Sequence, residues 1–299
     1  MKTRLTWFRL PLVGLLVALL VAGLLVGTTG TASAAPTTSK CVSRHGVVKK
    51  QTGTATCSSD SDSTALVRGD NSTATATGNS RARVRGNNSS ATATNDSRAI
   101  VTGDNSAATA ENDSAARVNG TGSTADATGG SDNSATVRGD GSRANTVSGD
   151  GNTATVEGNE SGALAGYGND NTATVEGNGS TANAYNGTDN TATIEGNDSS
   201  ADVGFGDDNA ATVTGDDSSA SAGLGDDNTA TVEGDRSIAS ADSGDDNTAT
   251  IEGNDSSALA GNGNDNTATV EGNGSGATAT APTGCTAEAV GDGQSESCN

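Results

Sequence analysis

Small apolar residues return along this chain at a fixed interval. Valine or isoleucine recurs every 17 residues from Val67 to Val118, and every 19 residues from Val118 to Val270. Alanine stands two residues before each of these positions, and glycine stands two residues after it. A constant period of this length is typical of repeat architectures, in which each unit buries its apolar face against the next unit.

Each period contains a second, similar half. Serine is followed two residues later by alanine, from Ser72 and Ala74 to Ser275 and Ala277. Within each half, apolar and polar residues alternate, which indicates a strand with one buried face. The pattern therefore predicts an all-β fold, a parallel β-solenoid of about twelve coils with two short strands per coil and a narrow core of alanine and valine.

Composition alone favours disorder, because hydrophobic residues make up 31%, aromatic residues 2%, and the net charge is −21. The repeat opposes that interpretation, because the predicted inward positions are held from unit to unit while the outward positions vary. A disordered repeat has no reason to distinguish the two. In this respect the chain resembles bacterial two-sided parallel β-solenoid repeat proteins.

Residues 1–34 carry a basic start, an apolar run and the cleavage pattern Ala32-Ser33-Ala34, which together predict a secretory signal peptide. An uncleaved membrane anchor is the alternative. We divide the remainder into an N-terminal cap (35–62), Arg-bearing 17-residue repeats (63–132), acidic 19-residue repeats (133–280) and a C-terminal cap (281–299). The expected location is extracellular or associated with the cell envelope.

Four cysteines lie outside the repeats, in two local pairs. In an exported chain this arrangement predicts the disulfide bonds Cys41–Cys57 and Cys285–Cys298, although spacing alone does not fix the connectivity. Closed ends would cover the open sheet edges of the terminal coils.

Charge is divided unevenly along the chain. Residues 144–299 contain one basic and 27 acidic residues, which should repel nucleic acid and anionic membranes and attract cations. Arg81, Arg83 and Arg85 share one strand face in the earlier repeats, with Arg98 and Arg117 nearby. This basic patch is either a solvated face or a contact for an anionic surface or polysaccharide.

An asparagine column enters the first strand of each 19-residue repeat, from Asn152 to Asn266. Stacked asparagines predict a ladder of hydrogen bonds along the turns. Carboxylates in the same glycine turns offer an alternative, calcium, because calcium prefers oxygen ligands. The candidate ligands are Asp207, Asp208, Asp226, Asp227, Asp245 and Asp246. The repeat length is similar to that of RTX calcium β-rolls, and 261–265 looks like their glycine motif; this resemblance implies calcium, the one cofactor considered.

Catalytic chemistry is not predicted. The chain has one histidine, and no carboxylate has obviously apolar surroundings that would make an acid–base pair. Tyr167, Tyr185 and Phe205 are assigned to turns and form no base-stacking platform. The sequence therefore predicts a protein that is not an enzyme and does not bind nucleic acid.

Paired threonines mark the outward side of the first strand. They stand two residues apart, about 6.7 Å, and recur in successive coils about 4.8 Å apart. The pairs are Thr153 and Thr155, Thr172 and Thr174, Thr191 and Thr193, Thr229 and Thr231, Thr248 and Thr250, and Thr267 and Thr269. This array resembles the T-x-T face of β-solenoid ice-binding proteins, which implies these threonines as the binding residues. A glutamate column on the same side, from Glu157 to Glu271, departs from that pattern.

The leading prediction is a secreted, non-enzymatic structural or surface-interaction repeat protein with a role in the cell envelope, adhesion or matrix. The expected partners are a cell surface or a polysaccharide. Ice binding by the threonine face is the alternative, with an ice surface as the partner. A calcium-binding RTX-like β-roll is the third hypothesis.

Overall fold

The computed structural model describes residues 39–299, which form 29 strands in two sheets and no helix. Residues 39–299 contain no helix that is long and apolar enough to cross a membrane. The predicted signal peptide lies outside them. Sheet A contains β1 (Lys40–Arg44), β2 (Val47–Thr52), β4 (Thr64–Arg68), β6 (Arg81–Arg85), β8 (Arg98–Thr102), β10 (Ala115–Asn119), β12 (Ser134–Arg138), β14 (Thr153–Glu157), β16 (Thr172–Glu176), β18 (Thr191–Glu195), β20 (Ala210–Thr214), β22 (Thr229–Glu233), β24 (Thr248–Glu252), β26 (Thr267–Glu271) and β28 (Thr286–Val290).

Sheet B faces sheet A across the core. It contains β3 (Thr56–Ser59), β5 (Thr73–Thr77), β7 (Ser90–Thr94), β9 (Ala107–Glu111), β11 (Thr124–Ala127), β13 (Arg143–Val147), β15 (Gly162–Gly166), β17 (Thr181–Tyr185), β19 (Ser200–Gly204), β21 (Ser219–Gly223), β23 (Ile238–Asp242), β25 (Ser257–Gly261), β27 (Gly276–Ala279) and β29 (Ser295–Cys298).

Successive strands alternate between the two sheets, and each coil is stacked in register on the previous one. Between β14 and β16, for example, Ala154 pairs with Ala173 and Val156 pairs with Val175 in a parallel ladder. Thirteen such coils run from β4 and β5 to β28 and β29, a stack about 60 Å long at the usual spacing of parallel strands. The predicted parallel β-solenoid is confirmed.

The core contains only small side chains. Ala173 and Val175 from sheet A, and Ala182 and Ala184 from sheet B, are all 0% exposed. The same four inward positions are buried in almost every coil, so the core is a continuous ribbon of alanine with valine or isoleucine. Because alanine projects so little, the two sheets lie close together and no side chain can enlarge without moving them.

Replacing Ala173 with leucine should therefore destabilise the protein by about 1–3 kcal/mol through overpacking. The neighbouring variant Thr174→Leu is the control, since Thr174 is outward and half-buried. Denaturant unfolding followed by circular dichroism gives both values. An unchanged midpoint for Ala173→Leu would mean that this alanine is not in a close-packed core.

Buried asparagines hold one set of turns, from sheet B to sheet A. Asn190 Nδ2 donates to the Gly206 carbonyl of the next coil at 2.8 Å, and Asn190 Oδ1 accepts from the Asn209 N–H at 3.0 Å. Every ladder asparagine from Asn133 to Asn228 makes both bonds, and the bonds from N–H to Oδ1 continue through Asn247 to Asn266, so the predicted asparagine ladder is confirmed. Each of these amides satisfies buried backbone groups that the strand ladders leave unpaired.

Buried serines play the same part in the turns from sheet A to sheet B. Ser180 Oγ donates to the Gly196 carbonyl at 2.8 Å and accepts from the Ser199 N–H at 3.1 Å. Two polar ladders therefore run along the two edges of the apolar ribbon.

The change of period from 17 to 19 arises in a single turn. The turn from sheet B to sheet A has three residues in the early coils (78–80) and five in the later ones (148–152). The turn from sheet A to sheet B keeps four residues, at 69–72 and at 158–161. Where the turn lengthens, serine at its last position is replaced by asparagine, whose longer side chain reaches the carbonyl of the next coil.

The N-terminal end of the stack is closed by an antiparallel hairpin. Strand β1 pairs antiparallel with both β2 and β4, so β2 becomes the outermost strand of sheet A. Lys49 and Lys50 lie on β2, and lysine on an edge strand opposes pairing with other chains. The disulfide Cys41–Cys57 joins β1 to β3, with the two Cα atoms 5.6 Å apart.

The C-terminal segment continues the solenoid. Strands β28 and β29 pair in parallel with β26 and β27 and form the thirteenth coil. The disulfide Cys285–Cys298 closes this coil, with its Cα atoms 6.1 Å apart. Both predicted cysteine pairings are confirmed.

Candidate functional site: the outward face of sheet A

The outward face of sheet A consists of three columns of side chains, from the first, third and fifth positions of each strand. In β16 these are Thr172, Thr174 and Glu176. Because every parallel pair is in register, each column stacks residue on residue at about 4.8 Å.

The structure places all twelve predicted threonines in the first two columns, on β14, β16, β18, β22, β24 and β26, and each side chain is half-buried. Strand β20 interrupts the first column with Ala210 and keeps Thr212 in the second. We call the twelve side chains the threonine grid. Its first column is Thr153, Thr172, Thr191, Thr229, Thr248 and Thr267, and its second column is Thr155, Thr174, Thr193, Thr231, Thr250 and Thr269. That these residues bind a ligand stays a prediction.

Glutamates occupy the third column beside the grid. The strands extend through Glu157 and Glu176, and these side chains are exposed on the same side as the threonines. The second threonine column and the glutamate column are therefore about 6.7 Å apart along the strand. Water on the grid borders directly on a row of negative charges.

The same face is basic at the N-terminal end of the stack. On β2, β1, β4, β6, β8 and β10 the outward positions carry no aspartate or glutamate. We call this region the basic face; its charged residues are Lys40, Arg44, Lys50, Arg68, Arg81, Arg83, Arg85, Arg98 and Arg117.

The register brings these like charges close together. Arg68 pairs with Arg85, and Arg81 pairs with Arg98, on neighbouring strands. The pKa of Arg83 is lowered from its ordinary value, first by burial and then by the positive charges of its arginine neighbours. At physiological salt the screening length is about 8 Å, which exceeds the spacing between strands, so this repulsion persists in solution.

No acidic side chain among residues 39–299 forms an ion pair with the basic face. The ion pairs found within residues 39–299 are Arg138–Glu157 and Arg236–Asp255, and neither contains a residue of that face. The pair Arg138–Glu157 marks the boundary between β12 and β14, where the outward face of sheet A changes from basic to acidic.

A shallow depression of about 230 Å³ lies within the basic face. Its lining includes Leu66 and the side chains of Arg44, Arg68, Arg83 and Arg85. Guanidinium groups bind carboxylate, sulfate and phosphate through paired hydrogen bonds, so these four side chains form a suitable site for an anionic group.

The candidate calcium ligands lie in the turns from sheet B to sheet A. Oδ1 of Asp207, Asp226 and Asp245 each accepts a backbone N–H of the preceding coil, at 2.7–3.1 Å. The other three, Asp208, Asp227 and Asp246, adopt left-handed φ values of 59–60°. Within residues 39–299 no three His, Cys, Asp or Glu side chains are grouped to hold a metal ion. The calcium site stays a prediction, and three of its carboxylates already have a structural role.

The aromatic residues were all assigned to turns from the sequence. Tyr167 and Phe205 do lie in turns, but the assignment of Tyr185 was wrong, because Tyr185 is the last residue of β17. The last position of the sheet B strands holds glycine in some coils and a larger residue in others, and that mixture concealed the strand position of Tyr185. All three lie on the sheet B side, away from the threonine grid.

Comparison with protein-family models gives no match for this chain, and comparison with curated proteins gives none either. The fold is consistent with a structural repeat protein. Any more specific role has to be argued from the surfaces described above.

Proposed function

We propose that this is a secreted, non-enzymatic surface-interaction protein that attaches to an anionic polysaccharide of the cell surface or envelope through its basic face. The observation that supports this proposal is the concentration of nine basic residues on six adjacent strands with no acidic residue at the outward positions of those strands. The solenoid beyond β12 would then act as a rigid acidic extension.

The like charges on the basic face repel one another. Two unit charges about 5 Å apart repel by somewhat under 1 kcal/mol in water, and by more where they are partly buried. A polyanion that binds to the basic face neutralises several such pairs at once, and this loss of repulsion favours binding. The rigid register also fixes the spacing of the backbone positions that carry the basic side chains, so no backbone has to be ordered when a repeating anionic chain binds along the face.

The acidic region supports the same interpretation. Its charge opposes contact with the anionic surface to which the basic face binds. The rod would therefore be held by one end and directed away from that surface, which suits a spacer, an adhesion element or a matrix component.

Arg83→Glu should weaken binding to a sulfated polysaccharide such as heparin by at least about 10-fold, because it removes a central cation and adds an anion. Arg143→Glu is the matched control, since Arg143 is an exposed residue of sheet B and the variant has the same net charge. Affinity is measured by titration calorimetry at low and at physiological salt.

Binding of the original protein should weaken steeply as salt increases. Equal weakening by Arg83→Glu and Arg143→Glu would show that net charge acts rather than the basic face. A folded protein that binds no anionic polysaccharide at low salt would refute the proposal.

Ice binding is the second candidate, and it is favoured by the in-register alignment of the threonine grid. On this hypothesis the double variant Thr172→Tyr with Thr191→Tyr should abolish thermal hysteresis and ice shaping, because bulky rings break the flat array. Thr181→Tyr, on the outward side of sheet B, should leave both unchanged. No ice shaping by the folded original protein would eliminate this candidate, and the polysaccharide proposal would be unaffected.

A further inference from the structure

Residues 39–299 contain three aromatic side chains, and these are grouped on the outer side of sheet B. Tyr167, Tyr185 and Phe205 come from three consecutive coils. The rings of Tyr185 and Phe205 meet edge to face, with centroids 5.9 Å apart and planes at 73°. Leu224 extends this apolar patch in the next coil and is 57% exposed. In a chain with 2% aromatic residues, neither core packing nor the repeat requires this grouping.

Three of these apolar residues adopt a backbone conformation that opposes their side chains. Tyr167, Phe205 and Leu224 have left-handed φ values of 56°, 59° and 57°. Equivalent turns place asparagine or serine there, as at Asn186 and Ser243, and these tolerate the conformation better. A bulky residue is strained in this region, and such outliers occur most often at functional sites.

An open cleft of about 230 Å³ lies beside this patch. We call it the aromatic cleft; its lining side chains are Tyr185, Asp202, Phe205, Ser221, Leu224 and Asp242. Gly204 and Gly223 form its floor, because two consecutive coils lack a side chain between Tyr185 and Asp242 in that column. The Tyr185 ring lies against this floor, since a Cβ added at Gly204 would be 3.2 Å from Tyr185 Cε2.

Asp202 supplies an incompletely bonded carboxylate to the cleft. Its Oδ1 atom is buried and has no hydrogen-bond donor among residues 39–299. Asp242 differs, because Ser240 Oγ donates to one of its oxygens at 2.5 Å and Ser221 Oγ donates to the other at 3.4 Å. A carboxylate with one oxygen buried and without a donor is unfavourable in a partly apolar site, and a ligand that donates to its other oxygen stabilises it.

The electrostatic environment of the cleft is negative. The pKa of Tyr185 is raised, first by burial and then by the negative charge of Asp202, so that charge is felt at the phenol. No basic side chain lines the cleft. The surrounding acidic repeats add to this potential and concentrate cations at the surface.

We propose that the aromatic cleft binds a primary organic ammonium ion, which donates a hydrogen bond to the Asp202 carboxylate where it faces the cleft and packs its alkyl stem against the rings of Tyr185 and Phe205. The ammonium supplies a charged donor to this carboxylate, and the ring faces attract the same positive charge. The short apolar stem fits the glycine floor. This site is separate from the basic face and does not depend on its function.

Other small ligands satisfy fewer of these features. A quaternary ammonium ion would contact the rings but has no N–H for Asp202. A neutral saccharide would stack on a ring and donate hydroxyl hydrogens, but it would gain nothing from the negative potential. A primary ammonium ion uses the rings, the Asp202 carboxylate and the negative potential together.

The test uses the full chain with selectively labelled tyrosine, observed by NMR. The chain has two tyrosines, so the spectrum contains Tyr185 and an internal reference, Tyr167, identified by Tyr167→Phe. Titration with n-butylammonium should shift the Tyr185 ring signals saturably. The neutral 1-butanol, tetramethylammonium and methyl glucoside should cause at least about 10-fold weaker responses, because each lacks the charge or the ammonium N–H.

Asp202→Asn should weaken n-butylammonium binding by at least about 10-fold, because the ion pair is lost. Asp202→Ser, which repeats the residue found at Ser221, is a second variant with the same expected result. Asp126→Asn is the matched control, since Asp126 occupies the same column of sheet B four coils earlier and should leave binding unchanged.

Three outcomes would overturn the proposal. Absence of a saturable Tyr185 shift with n-butylammonium would exclude the site. An equal response to any of the other three probes would assign the cleft to apolar, cation–aromatic or saccharide recognition instead. Equal weakening by Asp126→Asn would show that general charge, and not Asp202, attracts the amine.

Discussion

Replacing Gly149 with alanine should destabilise the solenoid by about 3 kcal/mol or more. Gly149 has a φ of +134°, a region that residues with a side chain rarely adopt. A Cβ atom built there would lie 1.8 Å from the Gly168 carbonyl oxygen of the next coil. That oxygen belongs to the backbone of the stack, so it cannot move aside without separating two coils.

Gly162→Ala is the control for this prediction, because the nearest atom to its added Cβ is Thr181 Oγ1 at 4.0 Å. That variant should be neutral or stabilising by up to about 1 kcal/mol, since alanine restricts the unfolded chain. Both variants are compared by denaturant unfolding and by hydrogen exchange of the adjacent coils, because repeat proteins can open locally. Similar stabilities for the two variants would contradict the close contact between coils at Gly149.

Asn190→Ala should lower the free energy of unfolding by about 2–4 kcal/mol, because two buried backbone groups lose their partners. The Asn209 N–H loses the Oδ1 acceptor, and the Gly206 carbonyl loses the Nδ2 donor. Asn190 is 0% exposed, so water cannot replace either bond without opening the turn.

Asn183→Ala is the matched control, since Asn183 is an outward residue of β17 that is only half-buried. We expect its effect to be within about 0.5 kcal/mol of zero, as for most surface substitutions. Denaturant unfolding gives both values. If the two variants lose equal stability, the asparagine ladder is not a principal support of the turns.

These two predictions concern different components of one design. Glycine lets the backbones of successive coils approach closely, and the polar ladders then satisfy the groups that this approach buries. The core itself contributes through alanine and valine, which are too small to hold the turns in place. We therefore expect the turns to be more sensitive to substitution than the outward face.

The sequence alone was sufficient for the fold class. Inward positions admit almost only small apolar residues, so the columns from Ala65 and Val67 onwards define period, register and buried face without any coordinates. The asparagine ladder followed from the same reasoning, because identical residues in register must lie beside one another. The cysteine pairs were predicted on a different basis, their local spacing in an exported chain, which by itself left the connectivity open. The two columns of the threonine grid, such as Thr153 above Thr172 and Thr155 above Thr174, were predictable for that reason too.

Outward features depend on how neighbouring coils are arranged, and the sequence was less informative there. The one repeat that did not match the pattern, at 286–298, could be recognised as a coil only once β28 and β29 were seen to continue the stack. The lengthening of one turn but not the other was also decided by the strand boundaries. The extent of the basic face also became clear only from the structure. Strands β1 and β2 join it by antiparallel pairing, which no repeat predicts.

The sequence therefore determined the features that repeat along the chain, because a solenoid stacks equivalent positions of successive repeats on one another. Only the tertiary structure decided which residues from different positions of the repeat lie close together. The aromatic cleft is the clearest case: Tyr185, Asp202 and Leu224 belong to different columns of different coils. Their proximity depends on two glycines that leave space between them and on strained turns that direct apolar side chains towards it.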